Sequence, residues 1–347
     1  MIFLLFAMFI LQSSFMMTSS FHYLRKGSTS LCQTMKYCST RTTLASRSGT
    51  PILLSSSQND QIKHVKSLIQ QKKRRDETGC IVLEGLKPIS DMIQHHNTLP
   101  NTIYITEKLF HSTLYQSSIH QQLLNKISSF QDLKQKYYLV SEKVFDQISD
   151  TVQGQGIIAV FNKPTYTHYL TTPMNDKAPL VLLLDRISDP GNMGTIIRTA
   201  YGLGVSGILA IDCCDVWSPK VLRSATGHCL NIPIIETTWN LAHIEEALVK
   251  YDKEYQETRS TESIGEWQIV AADGDEANEN YININYHHPT FLIIGSEAHG
   301  VSPNFNQLPN HRILKKIRIP MMRSVESLNA AVAASIILAE ASKQRQT

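Results

Sequence analysis

The segment from Leu180 to Asp185 constrains the fold more than any other part of the sequence. It reads Leu-Val-Leu-Leu-Leu-Asp, an apolar run that ends in a carboxylate. A continuous run of this kind, without alternation of polar and apolar residues, is typical of a strand covered on both faces in a parallel sheet. Parallel strands are joined by crossover connections, usually helices. The run therefore predicts an α/β fold.

The rest of the sequence alternates between predicted strands and helices and divides into two modules. Residues 57–162 are predicted to form a small α/β module, residues 162–177 a Pro-containing linker, and residues 178–345 a larger α/β module. The predicted strands are Cys80–Leu83, Asn101–Thr106, Tyr137–Val140, Gln155–Phe161, Leu180–Asp185, Gly207–Ile211, Pro233–Ile235, Trp267–Ala272, Phe291–Ile294 and Ile317–Ile319. The predicted helices are Gln58–Lys73, Pro88–His95, one ending at Tyr201, Leu241–Tyr251 and Glu326–Lys343. A long loop through Cys229 and a polar surface insertion at Asp252–Glu266 complete the prediction.

The first 50 residues of the 347 have the composition of a targeting segment. Residues 2–11 are all apolar, which is too short a run to cross a bilayer, and no Asp or Glu precedes Asp60. Residues 18–50 are rich in Ser and Thr with scattered Arg and Lys, as organellar transit peptides are. The apolar run followed by the Ser/Thr-rich segment is typical of import into a plastid with extra membranes. Translation from Met16 or Met17 would instead leave the Ser/Thr-rich segment alone, which is typical of a mitochondrial presequence. We expect an organellar location, with an uncleaved membrane anchor as the alternative.

Neither the net charge nor the cysteine content identifies the binding partner of the protein. The net charge of +3 neither demands nor excludes a nucleic acid, because a local basic patch matters more than the total. One such cluster, Lys72-Lys73-Arg74-Arg75, lies where the first helix is predicted to end. It suits an RNA backbone, and a solvated helix end is the alternative reading. The six cysteines show no metal-ligand spacing, so we expect free thiols and no metal.

The first motif with chemical content follows the buried strand. Asp189-Pro190-Gly191 form a predicted turn that leads into a helix carrying Asn192 at its entrance and Arg198 in its early part. Free N–H groups at a helix start suit a phosphate or another anion. Taken alone, the motif is also compatible with an ordinary helix start and a surface arginine.

A second motif follows the predicted strand Phe291–Ile294. Gly295 ends that strand and Glu297 comes two residues later. A glycine in this place permits close approach of a ligand, and α/β proteins bind ligands beyond the carboxyl ends of their strands. His299 is not needed by this interpretation and is expected to be a bystander.

A third motif follows the last predicted strand. The chain breaks at Pro320, makes a loop, and reaches Ser327-Leu328-Asn329 at the entrance of a helix rich in alanine. The small side chains of that helix suit close packing against another helix, so a purely structural role is compatible with the pattern.

In this order and spacing, the three motifs resemble the SpoU (TrmH-like) family of RNA ribose 2′-O-methyltransferases, within the SPOUT superfamily. The match over residues 178–344 is close, and residues 57–162 resemble more weakly the substrate-binding module that precedes this domain in many members. The resemblance implies a trefoil-knotted α/β domain, S-adenosylmethionine as cofactor, a homodimer and an RNA substrate, with ribosomal RNA first and transfer RNA second.

The resemblance also assigns residues. The expected catalytic residues are Arg198, Asn192, Glu297, Ser327 and Asn329. The expected cofactor-binding residues are Gly295, Ile319, Leu328 and Ala272, which would hold it largely through backbone groups. Methylation needs a ribose hydroxyl that is deprotonated and aligned with a sulfonium methyl. Because Arg is normally always protonated, Arg198 acts either as an assisted base or as a phosphate anchor.

One position departs from the family pattern. The loop after Ile319-Pro320-Met321 usually holds a glycine where this chain has Met322-Arg323. If that position needs a positive φ, Arg323 strains the loop; if it does not, a long cation has been placed beside the cofactor or the RNA.

Two other functions compete with this interpretation. The segment Gly202 to Gly207 reads Gly-x-Gly-x-x-Gly, but a dinucleotide site needs a strand before it and a helix after it, and the reverse is predicted here. A catalytically silent RNA-binding assembly factor on the same fold is the stronger rival. The presence of all five expected catalytic residues argues against it.

Overall fold

The structure is a computed structural model that describes residues 52–95, 98–112, 137–151, 154–166, 168–170, 178–257, 267–274, 279–308, 314–323 and 327–346. The segment 1–50, with its predicted targeting function, lies outside the described residues. None of the helices in the described ranges combines the length and apolar character needed to cross a bilayer.

The N-terminal module is built on a mixed sheet of five strands in the order β1-β4-β3-β5-β2. Its strands are β1 (Ile52–Leu54), β2 (Cys80–Glu84), β3 (Thr102–Thr106), β4 (Tyr137–Val140) and β5 (Ile157–Asn162). Its helices are α1 (Asp60–Gln70), α2 (Lys72–Thr78), α3 (Leu86–His95), α4 (Glu107–Phe110) and α5 (Glu142–Ile148). Strand β4 runs parallel to β1 and β3, whereas β5 runs antiparallel to β2 and β3.

The C-terminal module is built on a seven-stranded sheet in the order β10-β12-β9-β11-β6-β7-β8, with every neighbouring pair parallel. Its strands are β6 (Leu180–Asp185), β7 (Gly207–Ile211), β8 (Ile234–Thr237), β9 (Gln268–Ala272), β10 (Glu279–Asn280), β11 (Thr290–Ile294) and β12 (Leu314–Arg318). Its helices are α6 (Pro190–Gly202), α7 (Pro219–Ser224), α8 (Leu241–Glu257) and α9 (Ala330–Gln346).

Strand β6 has the two-sided burial that its sequence predicts. Leu182 packs in the core that contains residues of α6 and α9, whereas Leu183 packs in the core formed with α8. All six residues of the strand are buried. The predicted α/β class and parallel sheet are therefore confirmed, while the knot implied by the resemblance stays a prediction.

The glycine-rich segment after α6 also folds as predicted. The helix ends at Gly202, Gly204 has a positive φ of 78°, and β7 begins at Gly207. An added side chain at Gly207 would meet the carbonyl oxygen of Tyr169, so this glycine allows close packing of the chain. The segment ends a helix and starts a strand, the reverse of a dinucleotide-binding turn.

Four element predictions in the C-terminal module were wrong. The expected loop through Cys229 contains α7, which Pro219 begins and which the Ser218 hydroxyl caps by accepting from the Val221 N–H at 3.4 Å. The first part of the expected surface insertion, Asp252 to Glu257, continues α8 because Tyr255 is buried on its inner face. The last strand lies earlier than predicted, and the final helix starts four residues later, at Ala330.

The basic cluster of the N-terminal module also differs from its prediction. Gln71 is extended, so Lys72 begins the second helix, α2, instead of ending the first. Lys72 reaches Glu236 of the C-terminal module at 3.0 Å. Arg75 is buried, with 4% of its surface exposed, and forms an ion pair with Asp215 of the C-terminal module. Two members of the cluster therefore join the modules instead of forming an open patch.

Apolar contacts join the modules as well. Helix α7 packs against β2, and Leu83 and Met92 share one core with Val221 and Leu222. This contact holds the N-terminal module against the carboxyl-terminal side of β7. The module boundaries at 57–162 and 178–345 stay predictions.

Candidate active site

Four neighbouring parallel strands bring the motif segments to one edge of the sheet. In the register, Ile294 of β11 lies beside Leu184 of β6 and beside Ala272 of β9, and Ala272 lies beside Ile317 of β12. The residues that follow these strands therefore emerge together, as expected for the ligand edge of a parallel sheet.

The first motif forms a capped helix start. The Asp189 carboxylate accepts from the backbone N–H of Asn192 at 2.8 Å, and Pro190 occupies the first turn of α6. A carboxylate thus occupies this helix start, so the predicted anion site has a negative group already in place. Gly194 lies further along the helix, where an added Cβ would come within 2.7 Å of the Val221 carbonyl oxygen. Its role is to let α6 approach α7.

Residues from all three motifs meet at Glu297. Its Oε1 accepts from Asn192 Nδ2 at 2.8 Å and from the Ala330 backbone N–H at 3.1 Å. Asn329 Nδ2 donates to the same oxygen and, at 3.0 Å, to Asn192 Oδ1. Glu297 Oε2 forms no hydrogen bond with any residue in the described ranges. One carboxylate oxygen is thus fixed by N–H groups, although the residue as a whole is exposed.

Asn329 has a second function at the start of α9. Its Oδ1 accepts from the backbone N–H groups of Ala331 at 3.0 Å and Val332 at 3.2 Å, as an N-cap side chain does. The negative charge of Glu297 lies at the same helix start, where the helix dipole stabilises it. The helix that follows is 17 residues long and packs against α6.

Arg198 and Ser327 are not part of this network. Arg198 is exposed on α6, about one and a half turns after Asn192, and makes no hydrogen bond or ion pair with the described residues. Ser327 is exposed, two residues before Asn329, and forms no hydrogen bond within the described ranges. Both side chains are available to a ligand.

The comparisons with known proteins agree with this geometry. A model described as the SpoU rRNA methylase family matches residues 179–339, and one described as an MRM3-like substrate binding domain matches residues 59–159. An uncharacterised tRNA/rRNA methyltransferase of Synechocystis sp. is 30% identical over 298 residues, which cover 84% of this chain and 94% of the relative. The chain belongs to the SpoU rRNA methylase family.

Other relatives of this SpoU chain carry more specific names. The mitochondrial rRNA methyltransferase 3 of Mus musculus is 29% identical over 325 residues, covering 82% of this chain and 72% of the relative. The 23S rRNA (uridine(2479)-2′-O)-methyltransferase of Streptomyces viridochromogenes is 26% identical over 291 residues, covering 83% of this chain and 91% of the relative. Among solved structures, an AdoMet-bound rRNA methyltransferase from Sinorhizobium meliloti is 26% identical with a TM-score of 0.63, covering 84% of this chain and 97% of that one.

The expected cofactor residues of the SpoU chain lie at or beyond the ends of β9, β11 and β12. Ala272 ends β9, Gly295 follows β11, and Ile319 follows β12. All three, like Leu328, are half-buried. Partly exposed apolar side chains beside strand ends suit an adenosine-containing group, so the residues present fit the cofactor. Gly295 also lets its own chain fold back, because an added Cβ would meet the Gly300 backbone at 2.2 Å, and its predicted role in cofactor binding stays a prediction.

The structure decides between the two interpretations of Arg323. The non-glycine residues with positive φ in the described chain are Arg186, Asp212 and Thr226, so Arg323 does not adopt the conformation that favours glycine. Arg323 is exposed and makes no hydrogen bond or ion pair with the described residues. The loop therefore presents a long cation to solvent without backbone strain at that position.

Sequence reasoning missed a buried contact that holds the Glu297 loop. The Asp185 carboxylate, 1% exposed, accepts from the Ser302 backbone N–H at 2.7 Å and from Arg186 Nε at 3.1 Å. Arg186 also reaches the Gly300 carbonyl oxygen at 3.5 Å. The contact fixes the segment after Glu297 to the end of β6. The sequence signal that could have indicated this contact was Asp185, a carboxylate at the end of an otherwise apolar strand.

The cysteines beside this edge are poor nucleophiles. Burial raises the pKa of Cys213 to about 12 and the pKa of Cys214 to about 11. Burial also raises the pKa of Cys229. Thiols that stay protonated at neutral pH do not suit covalent catalysis.

Proposed function

We propose that this chain transfers a methyl group from S-adenosylmethionine to a ribose 2′-hydroxyl of ribosomal RNA. The observation that carries the proposal is the convergence of Asn192, Glu297 and Asn329 in one hydrogen-bonded network at the carboxyl edge of the parallel sheet. These residues lie more than 30 positions apart in sequence. Only the fold brings them together.

The cofactor would be held by backbone groups and apolar side chains near Gly295, Ile319, Leu328 and Ala272. When bound, it supplies an electrophilic sulfonium methyl. The half-buried Ile319 and Ala272 would pack against the cofactor and exclude water from it, and no metal ligand is required for this chemistry.

Glu297 would orient and polarise the ribose hydroxyl. Because N–H donors hold Oε1, the side chain cannot rotate freely, and Oε2 would be left to accept from a ligand hydroxyl. Fixing an acceptor in this way lowers the cost of aligning a weak nucleophile. The same donors stabilise the carboxylate charge in an exposed position.

Arg198 would bind the phosphate next to the target ribose. A guanidinium stays charged and presents several donors to one phosphate, and Arg198 has no described partner that would compete. Anchoring the phosphate places the adjacent 2′-hydroxyl and stabilises charge that develops on it. A role as an assisted base is the alternative for this residue.

The choice of ribosomal RNA rests on the relatives. The mouse and Streptomyces proteins are named as rRNA methyltransferases, the latter for a 2′-O position. The Synechocystis relative is named for tRNA or rRNA, so transfer RNA remains the second substrate.

The proposal is tested with purified protein, radiolabelled S-adenosylmethionine, and separate ribosomal and transfer RNA fractions from cells lacking the gene. We expect label in ribosomal RNA at nucleotides that resist alkaline cleavage, because that cleavage needs a free 2′-hydroxyl. Label at an alkali-sensitive position would show methylation of a base and refute the ribose assignment.

A catalytically silent RNA-binding assembly factor is the competing function. Such a factor has no reason to retain S-adenosylmethionine binding, so calorimetric titration of the cofactor separates the two. Submillimolar cofactor binding together with RNA methylation supports the enzyme, whereas RNA binding without cofactor binding supports the factor.

The chain would act as a homodimer in an organelle. Exposed apolar side chains close to the third motif, Met321, Met322 and Val332, offer a surface that a second copy could cover. The mitochondrial relatives support an organellar location. Light scattering on protein lacking residues 1–50 would measure the mass, and imaging a fusion of the first 60 residues would distinguish mitochondrion, plastid and membrane.

A further inference from the structure

Two aromatic rings stack at the surface beside Arg198. The Tyr201 and His228 rings lie 4.6 Å apart between centroids, with 17° between their planes. Tyr201 is 36% exposed, and His228 is half-buried. The histidine therefore packs against one side of the tyrosine ring, while 36% of the tyrosine surface remains exposed.

The helix places this stack next to the proposed phosphate anchor. Tyr201 follows Arg198 by three positions on α6, so the two side chains lie on the same face of the helix. Side chains on a helix lean toward its N-terminus, which directs the tyrosine ring toward the turn that carries Arg198. A ligand anchored by Arg198 would reach the ring without leaving this face.

A strained turn holds the histidine in place. Thr226 and Gly227, which immediately precede His228, have positive φ values of 50° and 83°. A β-branched residue rarely adopts this conformation, and such strain persists only where surrounding contacts impose it. A Cβ added at Gly227 would lie 3.4 Å from the Met92 side chain of the N-terminal module, so this turn runs close to that side chain. The contact between the modules therefore supports the turn that carries His228.

A polar contact also holds the histidine ring. Asn231 Nδ2 and His228 Nδ1 lie 3.2 Å apart. The contact limits rotation of the imidazole and so keeps the ring against the tyrosine.

We propose that Tyr201, backed by His228, is a stacking platform for an unpaired nucleobase adjacent to the methylated ribose. This inference rests on the proposed function. A ribose hydroxyl becomes accessible when its nucleotide leaves the helical stack, and the displaced base then needs an aromatic partner. Arg198, an exposed cation without an ion-pair partner among the described residues, supplies positive charge for a flanking phosphate.

Binding of model oligonucleotides tests the platform without requiring catalysis. The probes are a fluorescein-labelled decamer of oligoadenylate and an abasic ribose-phosphate chain of the same length, measured by anisotropy at fixed salt. We expect the full-length protein to bind oligoadenylate more tightly. Loss of one stacked base costs about 5- to 150-fold in affinity. Tyr201→Leu, which keeps an apolar side chain but no ring, should therefore weaken oligoadenylate binding within that range and leave the abasic chain unaffected.

Matched variants complete the experiment. Tyr201→Phe should keep the preference for oligoadenylate, and Val249→Ala, at an exposed apolar position on α8, should change nothing. Equal binding of the two probes by the wild-type protein would overturn the platform. So would an unchanged preference in Tyr201→Leu, or a change in its oligomeric mass, which would make Tyr201 a subunit contact. If the protein methylates no RNA but prefers oligoadenylate in a way that depends on Tyr201, the proposed function is refuted and the stacking platform is supported.

Discussion

The Arg75 guanidinium is buried between the two modules, where it donates to the Asp215 carboxylate and to the carbonyl oxygen of Ile69 at 3.2 Å. Asp215 in turn accepts from the Trp217 backbone N–H at 3.0 Å, just before α7. The pair thus connects a helix of the N-terminal module to the segment that positions α7 against α6. The pair is one of several contacts that hold α7, which packs against α6, to the N-terminal module.

Replacing Arg75 by Met should strongly destabilise the protein. The change leaves the Asp215 charge without its partner at a site where only 16% of the Asp215 side chain is exposed. Breaking a buried pair from one side costs about 3–5 kcal/mol. Urea unfolding measures the loss, and Lys73→Met, at an 86% exposed side chain, serves as the control with a change below about 0.5 kcal/mol. A decrease of less than about 1 kcal/mol in the free energy of unfolding for Arg75→Met would mean that the pair does not stabilise the contact between the modules.

Substitutions at Asn329 should separate its cap from its contact with Glu297. Asn329→Ala removes both and should cost about 1 kcal/mol of stability together with methylation. Asn329→Ser keeps a side-chain oxygen for the Ala331 N–H but has no amide to donate to Glu297. We expect Asn329→Ser to fold with near wild-type stability and to lose most of its kcat. Full activity in the serine variant would show that the asparagine matters only as a helix cap.

Replacing Arg198 by Ala should abolish methylation and leave the fold and cofactor binding intact. The side chain is exposed and makes no described contact, so its loss opens no cavity. The slope of RNA affinity against salt should fall by about one unit, as for the loss of one phosphate contact. Lys253→Ala, at an exposed position on α8, is the control. An active Arg198→Ala enzyme would remove the central catalytic assignment.

Thiol labelling should follow the raised pKa values. Because burial raises the pKa of Cys213 to about 12 and that of Cys214 to about 11, both thiols are protonated at pH 8. Iodoacetamide should therefore leave them unmodified in the native protein, and labelling should begin with Cys214 as the pH rises. Peptide mass spectrometry measures the extent, with labelling in denaturant as the control. Rapid native labelling of Cys213 at pH 8 would contradict the burial described here.

Replacing Arg323 by Gly should weaken RNA binding and leave S-adenosylmethionine affinity unchanged. The residue is an exposed cation that lies between Ile319 and Leu328 in the sequence and is not strained at φ. A flexible cation in this place has the RNA backbone as its natural partner. Titration of both ligands against wild type and variant checks this. Unchanged RNA affinity, or tighter cofactor binding, would instead assign the residue to the cofactor loop.

Long apolar or strongly periodic segments were predictable from sequence. The bounds of β4, β6 and β7 agree with their predictions because continuous apolar runs leave no competing structure. Helix α7 escaped prediction because a six-residue helix shows less than two turns of periodicity and is stabilised by its neighbours in the fold. The four-residue error at the start of the last helix has a similar origin, since that start is set by the capping contacts of Asn329.

The candidate site was likewise predictable from the sequence only in part. Motif order predicted which residues would lie at the carboxyl edge of the sheet, because parallel strands place their ends together. It could not predict that Asp189 fills the helix start, that Gly295 accommodates Gly300, or that Arg75 is buried. These features depend on contacts between residues distant in sequence, for which local patterns carry no signal.

The fixed docking of the N-terminal module has a consequence for substrate choice. A module held by a buried ion pair and a shared apolar core cannot swing to follow a moving partner. The contacts between the modules then set the distance between the outer surface of the N-terminal module and Glu297. An RNA would be selected by whether two of its own parts are separated by that length, and a nucleotide of the right sequence in the wrong three-dimensional setting would go unmodified.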